Sequence, residues 1–135
     1  MTDRADIEML RAGYEAFSRG EWDSVFRAAH PDIELITTDR VTNPGTYRGV
    51  DDIRRFFEDL FAPFEEVVAE PEEFLERGDQ VVVLVVVRSR PRGSSAFIEN
   101  RIGHLWTMRD GQVVRFQIFP EREKALEAAG LSGSA

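Results

Sequence analysis

The sequence predicts a single α+β domain, spanning residues 1–135, built on a cone-shaped, curved antiparallel sheet. Three observations carry this prediction: helical apolar spacing in the first half, a valine-rich run in the middle, and turn sequences through the second half. A strongly curved sheet with a helical lid forms a cone around an internal cavity. We predict three N-terminal helices packed on the concave face and a short C-terminal helix.

The first two helices follow from apolar spacing and from the residues that end helices. The first helix has an apolar stripe at spacings of three and four residues, formed by Ile7, Leu10, Tyr14 and Phe17. Gly20 suits the end of this helix. A second, short helix is expected over residues 23–29, with Asp23 as its cap and Pro31 preventing its continuation.

A strand and a third helix are expected next. Residues 33–37 resemble a short strand, and the polar, Gly- and Pro-containing segment 37–49 is interpreted as a loop. Asp51 and Asp52 favour the positive end of the helix that follows. This helix has the most regular apolar face of the chain, formed by Ile53, Phe56, Phe57, Leu60, Phe61 and Phe64.

The second half predicts an antiparallel meander. Its candidate strands lie at about 65–76, 80–90, 96–109 and 112–119. Asp110-Gly111 is the strongest hairpin signal, because glycine tolerates the positive φ that tight turns require. A short helix over about residues 121–129 is expected to end at Gly130.

The apolar run 81–87 does not alternate with polar residues. A strand that is apolar on both faces must be covered on both faces. The helices would cover one face, and we predict that a second copy covers the other, giving a homodimer through the open sheet face. The alternative is that the C-terminal helix, or tight curling of the sheet, provides this cover.

Composition excludes several classes of protein. The chain has 17 basic and 25 acidic residues and a net charge of −8, so it would repel nucleic acid and anionic membranes. It has no cysteine, which excludes disulfides, thiolate zinc sites and cysteine nucleophiles. Its 10 phenylalanines could either line the cone or fill it.

No metal or cofactor is expected from the sequence. The two histidines, His30 and His104, lack the spacing of a metal site, and no glycine-rich phosphate loop is present. The N-terminal residues lack the apolar run of a signal peptide, and the longest apolar run is far shorter than a membrane span. We therefore expect a cytoplasmic protein that binds neither nucleic acid nor membrane.

Several segments, in this order along the chain, resemble the SnoaL-like polyketide cyclase family. They include Tyr14-Glu-Ala-Phe17, His30-Pro-Asp-Ile-Glu34, Asn43-Pro-Gly-Thr-Tyr-Arg-Gly49 and His104-Leu-Trp106. The family belongs to a superfamily that also contains ketosteroid isomerase and nuclear transport factor 2. The resemblance implies a cone-shaped barrel, often dimeric, with an apolar pocket near the helices. It does not imply one activity, because this fold hosts enzymes and binding proteins.

The resemblance also implies where catalytic carboxylates would lie, and those positions hold other residues here. In ketosteroid isomerases the catalytic carboxylate base lies near the end of the first strand, and the residue at the matching position of this chain is Thr37. Glu34 has the opposite parity, and Asp39 lies in the following loop. The aspartate that related cyclases and epoxide hydrolases carry near the end of the last strand matches Ile118, or Gln117 after a one-residue slip. Neither chemistry is therefore expected to transfer directly.

The third long strand carries the remaining polar candidates. Asn100, Ile102, His104 and Trp106 share one parity, so their side chains face the same side of the sheet. Asn100 could donate a hydrogen bond to an oxyanion, as its position in the resemblance implies. His104 would titrate near neutral pH and could act as general acid or base. The structural alternative for His104 is a hydrogen-bonded core residue.

Three functions are compatible with these residues. The first is a binding protein that holds a medium-sized apolar ligand in the cone. The second is a cofactor-free enzyme of proton-transfer type (isomerase, cyclase, dehydratase or hydrolase) that uses His104 and Asn100. The third is a non-enzymatic dimeric interaction module with a filled core. The residues expected to line the pocket are Tyr14, Phe17, Leu35, Thr37, Phe57, Phe61, Ile102, Trp106, Phe116 and Ile118.

Overall fold

The computed structural model describes residues 4–37 and 45–131, which form helices packed on a curved six-stranded sheet. The α+β class and the curved sheet are confirmed. Asp39 lies outside the described residues. In chain order the elements are α1 (Arg4–Ser18), α2 (Trp22–Val25), β1 (Ala29–Thr37), β2 (Gly45–Arg48), α3 (Val50–Phe61), β3 (Phe64–Arg77), β4 (Gln80–Pro91), β5 (Ile98–Arg109), β6 (Gln112–Phe119) and α4 (Arg122–Ala128).

The four long strands of the second half form the predicted antiparallel meander, and the strand order across the sheet is β2-β1-β6-β5-β4-β3. The sheet is not antiparallel throughout, because β1 pairs with β6 in parallel, with Leu35 opposite Phe116. Parallel neighbours need a long crossover connection. Here that connection comprises all the elements from β2 to β5.

The first half differs from the prediction at the second helix and at the first strand, and Phe64, which was expected on the third helix, begins β3. The second helix covers only Trp22–Val25, and its N-cap is Glu21, without a side-chain hydrogen bond, so Asp23 does not cap it. The first strand begins at Ala29 and includes Pro31. The strand tolerates this proline because its register with β6 is irregular between Ala29 and Glu34.

The strand β2 was not predicted. Its residues lie in a segment whose composition indicates a loop, and β2 is a short edge strand that exists by pairing with β1. α3 follows β2 and packs on both β1 and β2, whereas α1 packs on β3. No helix in the described ranges is long and apolar enough to cross a lipid bilayer.

The valine-rich run is covered on both faces within one chain. Val81, Val83 and Val85 belong to the main core, which includes residues of α1 and α3. Val82, on the other face, belongs to a second core with Leu105 and with the α4 residues Ala125 and Ala129. The C-terminal helix therefore covers this part of the second face, as the alternative predicted. The homodimer was predicted because this face seemed to lack a cover within the chain, and that reason no longer holds here.

The contact between α4 and the sheet is very close at one position on β5. A Cβ built on Gly103 would lie 2.6 Å from the Cβ of Ala125. Arg122, at the start of α4, donates hydrogen bonds to the Glu72 carboxylate (2.6 Å) and to the Val85 carbonyl (3.2 Å). The helix is thus held against the outer face of the sheet by both shape and hydrogen bonds.

Candidate functional site

A cavity of about 440 Å³ lies between the helices and the sheet. It is lined mostly by aromatic and aliphatic side chains. The helices contribute, among others, Leu10, Tyr14, Phe17, Trp22, Phe57 and Phe61, and the strands contribute Ile33, Ile102, Trp106, Phe116 and Ile118. Phe17 of α1 and Phe57 and Phe61 of α3 therefore line this cavity.

The cavity brings together His104, Asn100 and the predicted pocket residues, with two exceptions. Leu35 and Thr37 do not line it. Leu35 is completely buried in the main core, and Thr37 is also buried. The reason is the position of α3, which packs on β1 and β2 and fills the space above this end of β1. Ile33, two residues earlier on the same face of β1, lines the cavity instead.

Other lining residues were missed by the sequence reasoning. Leu10 and Leu60 were placed on the apolar stripes of their helices, so those stripes could have indicated them. Trp22 offered no such periodic signal. It lies on the short helix α2, with its ring 5.4 Å from that of Phe17 and 5.8 Å from that of Phe57. Only the packing of α2 against α1 directs this indole to the cavity.

A buried hydrogen-bonded cluster forms the polar part of the cavity wall. The Trp106 Nε1–H donates to the Tyr14 hydroxyl oxygen at 2.9 Å, and that hydroxyl lies 2.6 Å from His104 Nδ1. The imidazole is also packed edge-on against the Phe116 ring, with centroids 4.8 Å apart. α1 supplies the tyrosine and β5 supplies the other two hydrogen-bonding residues, so the cluster joins the helical layer to the sheet.

Burial keeps this cluster uncharged. His104 is only 7% exposed, and burial lowers its pKa to about 3. Burial also raises the pKa of the Tyr14 hydroxyl well above its ordinary value, although the hydrogen bond from Trp106 opposes this shift. The expectation that His104 titrates near neutral pH is therefore wrong. At neutral pH its imidazole is neutral and weakly basic.

Asn100 lines a different part of the cavity from His104. It lies four residues earlier on β5, which places the two Cα atoms about 13 Å apart. Asn100 is exposed, whereas His104 is buried. The two side chains are therefore too far apart to act on the same atom of a small substrate. Ser89, on the neighbouring strand β4, lines the cavity as well.

No carboxylate lines the cavity among the residues that the structure describes. Glu34 faces away, as its parity predicted, and forms ion pairs with Arg48 and Arg115. Arg101 is the one charged lining residue in the described ranges, and its guanidinium is paired with Glu72 at 3.4 Å and Glu99 at 3.8 Å. Apart from this paired arginine, the polar groups of the described cavity wall are neutral.

The two residues that the resemblance offered for the last-strand aspartate differ in their relation to the cavity. Ile118 lines the cavity, and Gln117 is not among the lining residues. Neighbouring residues of a strand point to opposite faces, so the inward-facing residue at this end of β6 is aliphatic.

Fold and cavity together define the class of protein, an α+β domain of the NTF2-like fold. A family model described as the SnoaL-like domain matches residues 10–116. The chain therefore belongs to the SnoaL-like family, as its sequence segments indicated. An uncharacterised protein of Mycobacterium tuberculosis is 26% identical over 128 residues, which cover 95% of this chain and 98% of that protein.

Solved structures share the fold over almost the whole chain. An NTF2-like protein of unknown function from Burkholderia pseudomallei has a TM-score of 0.79 and 24% identity, covering 94% of this chain and 98% of its own. TerC, co-crystallised with polyporic acid, has a TM-score of 0.78 and 25% identity, covering 95% of this chain and 99% of its own. The second example shows that a protein with this fold has been crystallised with a small organic molecule.

Proposed function

We propose that this protein binds a medium-sized, apolar organic molecule in the cavity between its helices and its sheet. The observation that carries the proposal is the cavity of about 440 Å³, with aromatic and aliphatic walls and one neutral hydrogen-bonded cluster. Small-molecule sites typically have volumes of roughly 300–1,000 Å³, mostly apolar walls and a few placed polar groups. The co-crystal of TerC with polyporic acid gives independent support at the level of the fold.

The chemistry of the wall favours an organic occupant over water. A buried water typically needs about three hydrogen bonds to protein groups. Along most of this cavity the described side chains are hydrocarbon and cannot provide such bonds. An apolar molecule would displace poorly bonded water and bury its own surface, which stabilises the complex by roughly 25 cal/mol per Å² before the costs of association.

The experiment is native mass spectrometry of protein purified from its own cells, followed by the same measurement after denaturation. We expect a bound organic mass that denaturation releases. Ile102→Trp, which places a large ring in the cavity, should abolish this mass. Glu99→Trp adds the same ring at an exposed position on the same strand and serves as the matched control. Loss of the bound mass in both variants, or its absence from wild type, would contradict the proposal.

A cofactor-free proton-transfer enzyme is the second candidate, and the geometry supports it less well. Such an enzyme needs a base matched to neutral pH. Burial lowers the pKa of His104 to about 3, and no carboxylate lines the cavity among the described residues. Asn100 is too distant from His104 to complete one catalytic constellation. These observations rank binding ahead of catalysis.

The third candidate, an interaction module with a filled core, does not fit the hollow cone. The homodimer and the cytoplasmic location stay predictions. Sedimentation equilibrium would test the homodimer, for which the expected result is a mass twice the 15.4 kDa of one chain. A mass of one chain at all concentrations would contradict it.

A further inference from the structure

We propose that the hydrogen bonds from Trp106 through Tyr14 hold His104 as a fixed donor towards the cavity, so that the site selects neutral ligands with an acceptor oxygen, such as aryl ketones and quinones. This inference rests on the proposed function, because it names the chemical class that the same cavity would take. Hydrocarbons of the same shape, and amines, would bind less tightly. Tyr14 and Trp106 act here as positioning residues.

The first step is the direction of the hydrogen bonds. An indole nitrogen can only donate, so Trp106 Nε1–H donates to the Tyr14 oxygen at 2.9 Å. The tyrosine hydroxyl has a single proton, which is free to point to His104 Nδ1 at 2.6 Å. We assign Nδ1 as the acceptor, because the reverse bond would leave the buried tyrosine proton without an acceptor among the hydrogen bonds of the described residues. The indole N–H, which can only donate, supports this direction by occupying a lone pair of the tyrosine oxygen.

The second step is the tautomer of His104. A neutral imidazole has one N–H, and if Nδ1 accepts a hydrogen bond then the proton is on Nε2. No described residue hydrogen-bonds to Nε2. In the described ranges, one side-chain nitrogen or oxygen, Arg122 Nε, is both fully buried and without a hydrogen-bond partner. His104 Nε2 has no partner among the described residues and is not in that class, so it is not fully buried. Since His104 lines the cavity, Nε2–H is available there as a donor.

The third step is the consequence for ligands. A ligand oxygen that accepts from Nε2–H satisfies a polar group that an apolar ligand would leave unpaired and cut off from water. An ammonium ion has no acceptor for that N–H, and no described lining residue carries a negative charge to stabilise it. A site with one placed donor therefore discriminates by ligand chemistry as well as by shape.

The test uses three naphthalenes of similar shape: 2-acetylnaphthalene, 2-isopropenylnaphthalene and 1-(2-naphthyl)ethylamine. Equilibrium dialysis would measure their dissociation constants for the full chain. We expect wild type to bind the ketone about tenfold more tightly than the alkene, and to bind the amine least tightly. Tyr14→Phe frees His104 to adopt either tautomer and should reduce the preference for the ketone to within about threefold. Tyr47→Phe makes the same chemical change at the other tyrosine, which does not line the cavity, and should keep the preference.

A second readout reports the tautomer without any ligand. The ¹⁵N chemical shifts of His104 should show a protonated Nε2 and an unprotonated Nδ1 in wild type, and a mixture in Tyr14→Phe. If that variant does not fold, Trp106→Phe removes the first donor of the chain and tests the same point. A protonated Nδ1 in wild type, or equal binding of all three probes, would overturn the inference while leaving the proposed function standing. Failure of all three to bind would count against both.

Discussion

His104 shows how its surroundings decide the chemistry of a residue. Its position on the cavity face of β5 follows from strand parity alone. Its charge state does not, because burial among Tyr14, Trp106 and Phe116 removes the water that would stabilise an imidazolium. A residue that could act as an acid or base on an open strand is, in this cavity, a neutral hydrogen-bonding group.

The low pKa of His104 predicts a pH dependence of stability. In the unfolded chain this histidine binds a proton with a pKa near 6.5, but in the folded chain its pKa is about 3. Between these values the unfolded state binds more protons, so the free energy of unfolding should fall as pH decreases below about 6.5, by up to about 1.4 kcal/mol per pH unit from this group. Above pH 6.5 the contribution to stability is fully present.

Urea titrations at pH 5, 6 and 7 would measure this dependence. His104→Gln removes the titrating group and should have a shallower pH dependence than wild type. Trp106→Phe disturbs the same cluster but keeps the imidazole, so it should retain the wild-type slope. Equal slopes in wild type and His104→Gln would show that the buried imidazole does not control stability in this range.

At the scale of elements, the contact between α4 and β5 depends on the absence of a side chain at Gly103. A methyl group there would lie 2.6 Å from the Cβ of Ala125, which is closer than two carbon atoms can pack. Gly103→Ala should therefore shift α4 and lower the free energy of unfolding by about 1–3 kcal/mol. Urea denaturation would measure the change.

The matched control is Gly13→Ala in the middle of α1. A Cβ built there meets no atom within 4 Å, and alanine is the better helix former. This substitution should raise the free energy of unfolding by about 0.5–1 kcal/mol. The two variants make the same chemical change with opposite expected signs, and destabilisation of similar size in both would contradict the role given to the Gly103 contact.

At the scale of the whole molecule, α4 closes the outer face of the sheet over Val82 and Leu105. A chain that ends at Pro120 lacks this helix and exposes both side chains. Each large apolar side chain returned to water costs roughly 1.5–3 kcal/mol, so the truncated chain should be less stable and should associate through the exposed face. Light scattering after size-exclusion chromatography would detect the association.

A chain that ends at Leu131 keeps α4 and is the control for this truncation. It should behave as the full chain does. If the chain ending at Pro120 were as stable as the full chain and had the same association state, then curling of the sheet, and not α4, would be the cover of the valine-rich strand.

Much of the fold could be predicted because the signals are local. The periodic apolar stripes indicated α1 and α3, and the turn at Asp110-Gly111 separated the last two strands. The failures occurred where pairing across the sheet overrides local composition. β2 lies in a segment with loop-like composition, and β1 continues through Pro31 because the adjacent pairing with β6 is irregular.

For the candidate site too, local patterns in the sequence predicted some features and only the packing of distant elements decided the others. Strand parity and helical spacing by themselves determined that His104, Trp106, Tyr14 and Phe116 belong to apolar or inward-facing surfaces, since these periods depend only on backbone geometry. Only the tertiary structure decided that α1 approaches β5 closely enough for Tyr14 to bond both His104 and Trp106, which lie 90 and 92 residues away in the chain. It also decided that a cavity remains between the helices and the sheet and that burial keeps the imidazole neutral, because volume and desolvation depend on how separate elements pack and not on any local pattern of residues.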